Sequence, residues 1–266
     1  SLVGSEMCIR DRVFTHPQNR GLEAANRFLE HEYLILKEKL EKITGVQITN
    51  AALENSIRIY NENRAVMREF SQLAAQYPQL ISAVDRHAVF KSRMFVEKSR
   101  HTAMVRSLIE ALQAIEPQPW DGRKIILTGI LAEPDGLLEI LDQLKLAVAA
   151  DDLAQESRQV RVDVPDGNEA PLYRLARVWQ NMYGCSLAVD TRKRRGPMLV
   201  DMVRKTGADA VVAAMMKFCD PEEWDYPIYL RQFEEAGILH LMIEVDQEAT
   251  AFEQVRTRLQ SFAEIL

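Results

Sequence analysis

Residues 211–227 read VVAAMMKFCDPEEWDYP and combine an apolar run, a cysteine and a helix start. The six apolar residues at 211–216 follow a polar Gly-Ala-Asp turn, a pattern typical of a buried parallel strand. The Asp220-Pro221 pair predicts the start of a helix, with aspartate as the N-cap and proline in the first turn. Cys219 is therefore predicted at the carboxyl end of a strand, where open α/β sheets bind ligands, and beside a helix N-terminus, which favours a thiolate.

The same alternation of strand and helix extends in both directions from this stretch. Strands are predicted at 124–128, 146–150, 211–216 and 239–245, with at most a short strand at 187–189. Helices are predicted at 134–144, 172–180, 196–206, 224–236 and 250–265. This order predicts an α/β fold with a parallel sheet covered by helices on both faces, of flavodoxin-like or Rossmann-like kind. The sequence has no glycine-rich nucleotide-binding motif.

The N-terminal part of the sequence has a different periodicity. Apolar residues recur at three- and four-residue steps and predict helices from about 17 to 44, from Thr49 to about 76, at 84–95 and at 98–115. The segment 117–122 contains proline and glycine and separates the helical periodicity from the alternation of strands and helices. We therefore predict a helical segment at 13–116 and an α/β domain at 117–266. Residues 1–12, which include Cys8, show neither the helical nor the strand periodicity of apolar residues. They are predicted to be a non-native leader.

Composition excludes several classes of protein. The 266 residues are 47% hydrophobic, which is enough for a sizeable core, and the formal net charge is −6 with charges mostly interspersed. This balance argues against nucleic acid as the main partner. No apolar run approaches the roughly 18 residues of a membrane span, and three widely spaced cysteines do not form a disulfide framework. The sequence thus predicts a soluble, cytoplasmic protein.

Several polar residues at the predicted strand ends leave alternatives open. Cys219 is either a small buried hydrophobe or a reactive ligand, although charged neighbours favour the second. Asp152 either caps a helix or lines a pocket. Residues 192–195, Arg-Lys-Arg-Arg, form either a solvated loop or a patch for an anion such as the phosphates of coenzyme A. Glu244 and Asp246 either cap the last helix or line the pocket, and a buried thiol is the favoured interpretation of Cys185.

Three segments carry a resemblance to a known family. The segments IYNENR at 59–64, QESR at 155–158 and KFCDPEE at 217–223 resemble the benzoyl-CoA reductase and 2-hydroxyacyl-CoA dehydratase family, and the resemblance extends from about residue 31 to the C-terminus. The second and third segments look more similar to the gamma subunit of the reductases than to the dehydratases. In many members a cysteine follows Asp-Asp-Leu, where this sequence has Ala154.

The resemblance implies a cofactor, a substrate and partners. It implies a [4Fe–4S] cluster with Cys219 as a ligand, and transfer of a single low-potential electron to an aromatic acyl-CoA thioester. It also implies a homologous cluster-binding subunit and an ATP-hydrolysing activator protein as electron donor. The substrate or cluster pocket that it implies contains Asp151, Asp152, Gln155, Glu156, Ser157, Arg158 and Lys217.

The resemblance further implies an N-terminal domain that supplies two more cluster cysteines. We therefore expect a truncated subunit that by itself is inactive and binds little or no cluster. Two rival hypotheses remain. The chain could be a 2-hydroxyacyl-CoA dehydratase subunit that uses the same residues, or a non-catalytic assembly module that binds no iron.

Overall fold

A computed structural model describes residues 13–133, 135–246 and 251–266. The N-terminal part consists of the predicted helices: α1 (Glu23–Thr44), α2 (Asn50–Ala74), α3 (Ala83–Ser92) and α4 (Lys98–Gln113). Strands and helices then alternate as β1 (Arg123–Gly129), α5 (Asp135–Gln143), β2 (Leu146–Leu153), α6 (Pro171–Asn181), α7 (Arg195–Thr206), β3 (Ala210–Met216), α8 (Asp220–Ala236), β4 (Leu239–Val245) and α9 (Glu253–Ala263). A short 3₁₀ helix, Ser157–Gln159, follows β2.

The four strands form one parallel sheet in the order β2-β1-β3-β4. This arrangement confirms the predicted α/β fold. Because all four strands run in the same direction, their carboxyl ends meet at one edge. The register places Thr128 of β1 opposite Asp152 of β2, and Gly129 opposite both Leu153 and Ala214 of β3. The loops that carry the predicted site residues therefore start from the same edge of the sheet.

Each face of the sheet is covered by its own helices. Ile125 and Leu127 contribute to one core with residues of α5 and α9, including Leu138 and Leu259. Ile126 lies between them in sequence and contributes to the other core, with residues of α7 and α8. Successive strand side chains point to opposite faces, so one apolar run supplies both cores. Burial of each such side chain contributes about 1.5–3 kcal/mol.

Some boundaries differ from the predictions. Strand β2 was predicted to end at Ala150 but continues to Leu153, because its last residues pair with the end of β1. Cys219, not Asp220, is the N-cap of α8. The optional short strand at 187–189 does not form. The predicted leader 1–12 and the predicted first residue of the last helix, Thr250, lie outside the described residues.

The contacts within the chain divide it into two compact units. One combines the described residues up to Ile57 with Val164–Asn181, and the other combines Arg58–Asp163 with Met182–Leu266. In the first unit, Trp179 donates a hydrogen bond from Nε1 to the Pro17 carbonyl. The second unit contains the entire sheet. Helices give way to alternating strands and helices at segment 117–122. The boundaries between the two units lie at other positions, after Ile57, Asp163 and Asn181.

Across the described residues, no helix combines the length and apolarity needed to cross a membrane.

Candidate functional site at the carboxyl edge of the sheet

Cys219 lies where the sequence predicts it, just beyond the carboxyl end of β3. The backbone N–H of Cys219 donates to the Met216 carbonyl over 3.2 Å, and its own carbonyl accepts from the N–H groups of Glu222 and Glu223 at 3.0 and 3.1 Å. The residue is partly exposed. The preceding residue, Phe218, has a left-handed backbone (φ 63°) and a side chain that is 91% exposed. The thiol is thus presented at the edge of the sheet by a turn that costs backbone energy.

Behind this edge, Arg195 at the start of α7 connects three elements. Its Nε donates to Asp152 over 2.9 Å, and Nη2 donates to Thr128 over 3.0 Å. Its two Nη atoms donate to the two carboxylate oxygens of Glu222 at 3.0 and 2.8 Å, and Nη1 also donates to Asp225 at 3.2 Å. A guanidinium has five N–H donors, and Arg195 uses all of them within the protein.

Two further arginines complete this group of charges. Arg158 and Arg161 both pair with Asp152, from the segment that follows β2. We call this group the Arg195 cluster; it consists of Asp152, Arg158, Arg161, Arg195, Glu222 and Asp225. Three guanidinium groups face three carboxylates, so the formal charges cancel. Such balance is what makes burial of so many ionised groups tolerable.

The electrostatic effect of the arginines is clearest at Asp152, which is fully buried. Burial alone would raise the pKa of Asp152. The charges of Arg158, Arg195 and Arg161 outweigh burial and lower this pKa to about 2. Asp152 is therefore a permanent anion that holds the cluster together, and it is not a proton donor or acceptor near neutral pH.

A second cluster surrounds the neighbouring residue, Asp151. Arg86 of α3 pairs with both Asp151 and Glu156. His87 Nδ1 lies 2.8 Å from Glu156 Oε1, and its Nε2 lies 3.3 Å from Glu133 Oε1. We call these five residues the Arg86 cluster. Burial alone would lower the pKa of His87, but the hydrogen bonds and charges of Glu156 and Glu133 outweigh burial and raise it.

The predicted pocket residues on the segment after β2 are mostly bound within the protein. Asp151 Oδ1 accepts from the backbone N–H groups of Leu153 and Ser157 at 2.9 and 3.0 Å. Ser157 Oγ donates to the Asp151 carbonyl, and Arg158 Nη2 donates to the Gly129 carbonyl at 3.1 Å. Gln155 donates its backbone N–H to Ile130. Most of these groups thus hold the segment in place, and their predicted contact with substrate stays a prediction.

The structure separates some of the predicted pocket residues. Asp151 and Ser157 line a groove of about 710 Å³ together with residues of α2 and α7. Lys217 lines a different cavity, of about 520 Å³, at the end of β4. Glu244 and Asp246 line the same cavity as Lys217, and Lys217 Nζ lies 3.6 Å from Asp246 Oδ2. Cys219 is not among the lining residues of either cavity.

The basic segment 192–195 matches the solvated loop considered from the sequence only in part: Arg192 and Lys193 are exposed, whereas Arg195 is buried. Arg195 is buried and saturated by protein acceptors, so it is not part of a solvated loop and has no donor left for a phosphate. Arg194 pairs with Asp190 over 2.9 Å. The segment is therefore not a single anion-binding patch.

Cys185 lies on a different loop from Cys219, between α6 and α7. The favoured interpretation was a buried thiol, but the residue is partly exposed. Its Sγ lies 3.8 Å from Arg158 Nη1. This contact places Cys185 against the Arg195 cluster.

The sequence did not indicate Arg86, His87 or Arg161 as members of the clusters, and it did not indicate the pairing roles of Arg195 and Glu222. Arg86 and Asp151 are 65 residues apart, and Arg195 and Asp152 are 43 apart. No local period or spacing connects such residues. The one available signal was Asp151-Asp152 at the end of an apolar strand, since two adjacent buried carboxylates require cations on both faces of the sheet.

The comparisons with known proteins agree on one family. A family model described as "2-hydroxyglutaryl-CoA dehydratase, D-component" matches residues 5–266. The chain belongs to this family. Lactoyl-CoA dehydratase subunit beta of Anaerotignum propionicum is 65% identical over 96% of this chain and 68% of its own length. The (R)-phenyllactyl-CoA dehydratase beta subunit of Clostridium sporogenes is 45% identical over 95% of this chain and 67% of its own length.

The comparisons confirm the family resemblance, but they do not confirm the predicted similarity to the reductase branch of the family. A benzoyl-CoA reductase subunit of Thauera aromatica is 24% identical over 95% of this chain and 66% of its own length. The predicted preference for the reductase branch rested on the short segments 155–158 and 217–223. Identity over nearly the whole chain outweighs them and favours the dehydratases. The predicted loss of an N-terminal domain has no support in these comparisons and stays a prediction.

The described residues of this family member do not complete a ligand set for a [4Fe–4S] cluster. Such a cluster usually needs three or four thiolates. Residues 13–133, 135–246 and 251–266 contain two cysteines, Cys185 and Cys219, on different loops. No group of three or more His, Cys, Asp or Glu side chains suited to a metal ion occurs within these ranges. Cys219 is partly exposed at the edge of the sheet, and its role as a cluster ligand stays a prediction.

Proposed function

We propose that this chain is the beta-type subunit of a 2-hydroxyacyl-CoA dehydratase, with lactoyl-CoA or a similarly short aliphatic 2-hydroxyacyl thioester as substrate. The observation that carries the proposal is the 65% identity to lactoyl-CoA dehydratase subunit beta over 96% of the chain. The relative named for an aromatic substrate, phenyllactyl-CoA, is 45% identical. An aliphatic acyl group is therefore better supported than an aromatic one.

The proposal includes partners and a cluster. The relatives are named as beta subunits, so we propose that the chain works with a homologous second subunit. We also propose an ATP-hydrolysing activator protein as electron donor, and a [4Fe–4S] cluster with Cys219 as one thiolate ligand. The partly exposed position of Cys219 at the sheet edge supports this role, since a ligand thiol must be reachable from outside the core. The other ligands would come from outside the described residues.

Product analysis of the reconstituted enzyme tests the proposed reaction. The chain would be co-expressed anaerobically with the complementary subunit of the lactoyl-CoA dehydratase complex and supplied with the activator, ATP and a reductant. We expect lactoyl-CoA to be converted to the enoyl-CoA by loss of water, with slower turnover of phenyllactyl-CoA. Reduction of benzoyl-CoA in place of dehydration would instead support the reductase hypothesis, and a complex without activity on any of these thioesters would support the assembly module.

Iron analysis of the same complex tests the cluster ligand. Cys219→Ser should lose most of the iron and sulfide of this subunit, because a hydroxyl is a far poorer ligand than a thiolate for iron in a sulfur-bridged cluster. Cys185→Ser is the matched control and should retain them. Full cluster content in the Cys219→Ser complex would contradict the assignment of Cys219.

A further inference from the structure

Two observations describe how the turn at Cys219 is held. Phe218 adopts a left-handed backbone that is unfavourable for a residue other than glycine, and its ring is 91% exposed and contributes little packing. The Cys219 carbonyl is held by the N–H groups of Glu222 and Glu223. The position of the thiol therefore depends on the first turn of α8 staying where it is.

That first turn is anchored through the side chain of Glu222. Both Glu222 carboxylate oxygens accept from Arg195, and Oε1 also accepts from Ser186 Oγ. Arg195 is in turn bound to Thr128 of β1 and Asp152 of β2. A continuous path of buried, charge-assisted hydrogen bonds thus runs from two neighbouring strand ends to the helix turn that carries Cys219.

We propose that Arg195 is a positioning residue that fixes the Cys219 thiol at the edge of the sheet, acting through Glu222. The role requires arginine in particular. Five N–H donors in a planar fork reach four side chains at once, whereas a lysine ammonium has three donors and cannot bind a carboxylate in the same bidentate way. The importance of this role for catalysis rests on the proposed function, in which Cys219 is a cluster ligand. The positioning itself can be measured on the chain alone.

The test compares two arginines that bind the same carboxylate. Arg195 and Arg161 both pair with Asp152, but Arg161 donates its other contact to the Tyr183 carbonyl and makes no contact with α8 among those described. The rate of iodoacetamide alkylation at Cys219 would be followed by peptide mass spectrometry, in the folded chain, for Arg195→Lys and Arg161→Lys. Mass spectrometry separates Cys219 from the other cysteines.

We expect Arg195→Lys to raise the alkylation rate at Cys219 by about tenfold, because loss of the bidentate anchor lets the first turn of α8 open. Arg161→Lys should change this rate by less than about twofold, even though both variants lower the unfolding temperature. Equal rates at Cys219 in the two variants would overturn the proposal, since they would show general destabilisation in place of positioning.

A second variant covers the case in which Arg195→Lys does not fold. Glu222→Gln keeps the size of the side chain and the backbone bonds to Cys219 but removes the charge that Arg195 binds. It should raise the alkylation rate at Cys219 by a smaller factor, about threefold, and an unchanged rate would also overturn the proposal. A complex in which Cys219→Ser retains its cluster would refute the proposed ligand role without affecting these rates, so the two failures are distinguishable.

Discussion

Asp151 and Asp152 are adjacent in sequence, both buried, and bound in clusters of different chemistry. Asp152 pairs with three arginines and accepts a hydrogen bond from Thr128 Oγ1, and the charges of the arginines lower its pKa to about 2. Asp151 faces Arg86, whose cluster also contains the titratable residue His87. The two adjacent carboxylates therefore differ in their partners: arginines hold Asp152, whereas Asp151 is held by an arginine whose cluster includes His87, a histidine with a raised pKa.

The largest effect is expected from removing the charge of Asp152. Asp152→Asn leaves three buried guanidinium groups with two carboxylates, and we expect a loss of about 3–5 kcal/mol in the free energy of unfolding. Asp151→Asn should cost less, about 2–3 kcal/mol, because one guanidinium loses a partner. Urea denaturation followed by circular dichroism measures both. Equal losses would remove the distinction between the two clusters.

Acid titration of the wild-type chain should show the contribution of Asp152 directly. A carboxylate whose folded pKa is lowered contributes stability that is present above its unfolded pKa of about 3.9 and lost as the pH falls through the folded value. With the folded pKa of Asp152 at about 2, this contribution is about 2–3 kcal/mol. The free energy of unfolding measured between pH 5 and pH 2 should fall less steeply in Asp152→Asn than in the wild type.

A smaller effect near neutral pH is expected at His87. The folded pKa of His87 is raised, so its contribution to stability is fully present below the unfolded value of about 6.5 and is lost as the pH rises through the folded pKa. His87→Gln should therefore cost about 1–2 kcal/mol at pH 6 and less at pH 9. The same cost at both pH values would show that His87 acts through packing and not through its charge.

The smallest effect concerns the strained turn beside Cys219. Phe218→Gly relieves the left-handed backbone at little cost in packing but increases the entropy of the unfolded chain, so we expect a net gain of about 0.5 kcal/mol. Phe218→Ala keeps the strain and is the control. If glycine and alanine give the same free energy of unfolding, the turn stores no measurable strain.

The local pattern of apolar, polar and glycine residues was sufficient to predict most of the helices and strands. Strand β4 forms over the predicted residues 239–245, and α1 ends at the predicted residue 44, where Gly45 follows in a left-handed conformation. These features depend on residues a few positions apart. The N-cap of α8 was misplaced by one residue, since Asp220-Pro221 matches the usual start signal but the backbone of Cys219 satisfies the first turn.

The sequence by itself determined the alternation of strands and helices, the position of Cys219 after β3, and a family resemblance that the comparisons confirm. The tertiary structure decided which charges meet. Arg195 reaches Thr128, Asp152 and Glu222, which are 67, 43 and 27 residues away, because the order β2-β1-β3 brings their strand ends together. Burial then strongly favours pairing, because an unpaired ionised group in the interior costs several kcal/mol, a large part of the roughly 5–15 kcal/mol by which a native protein is stable.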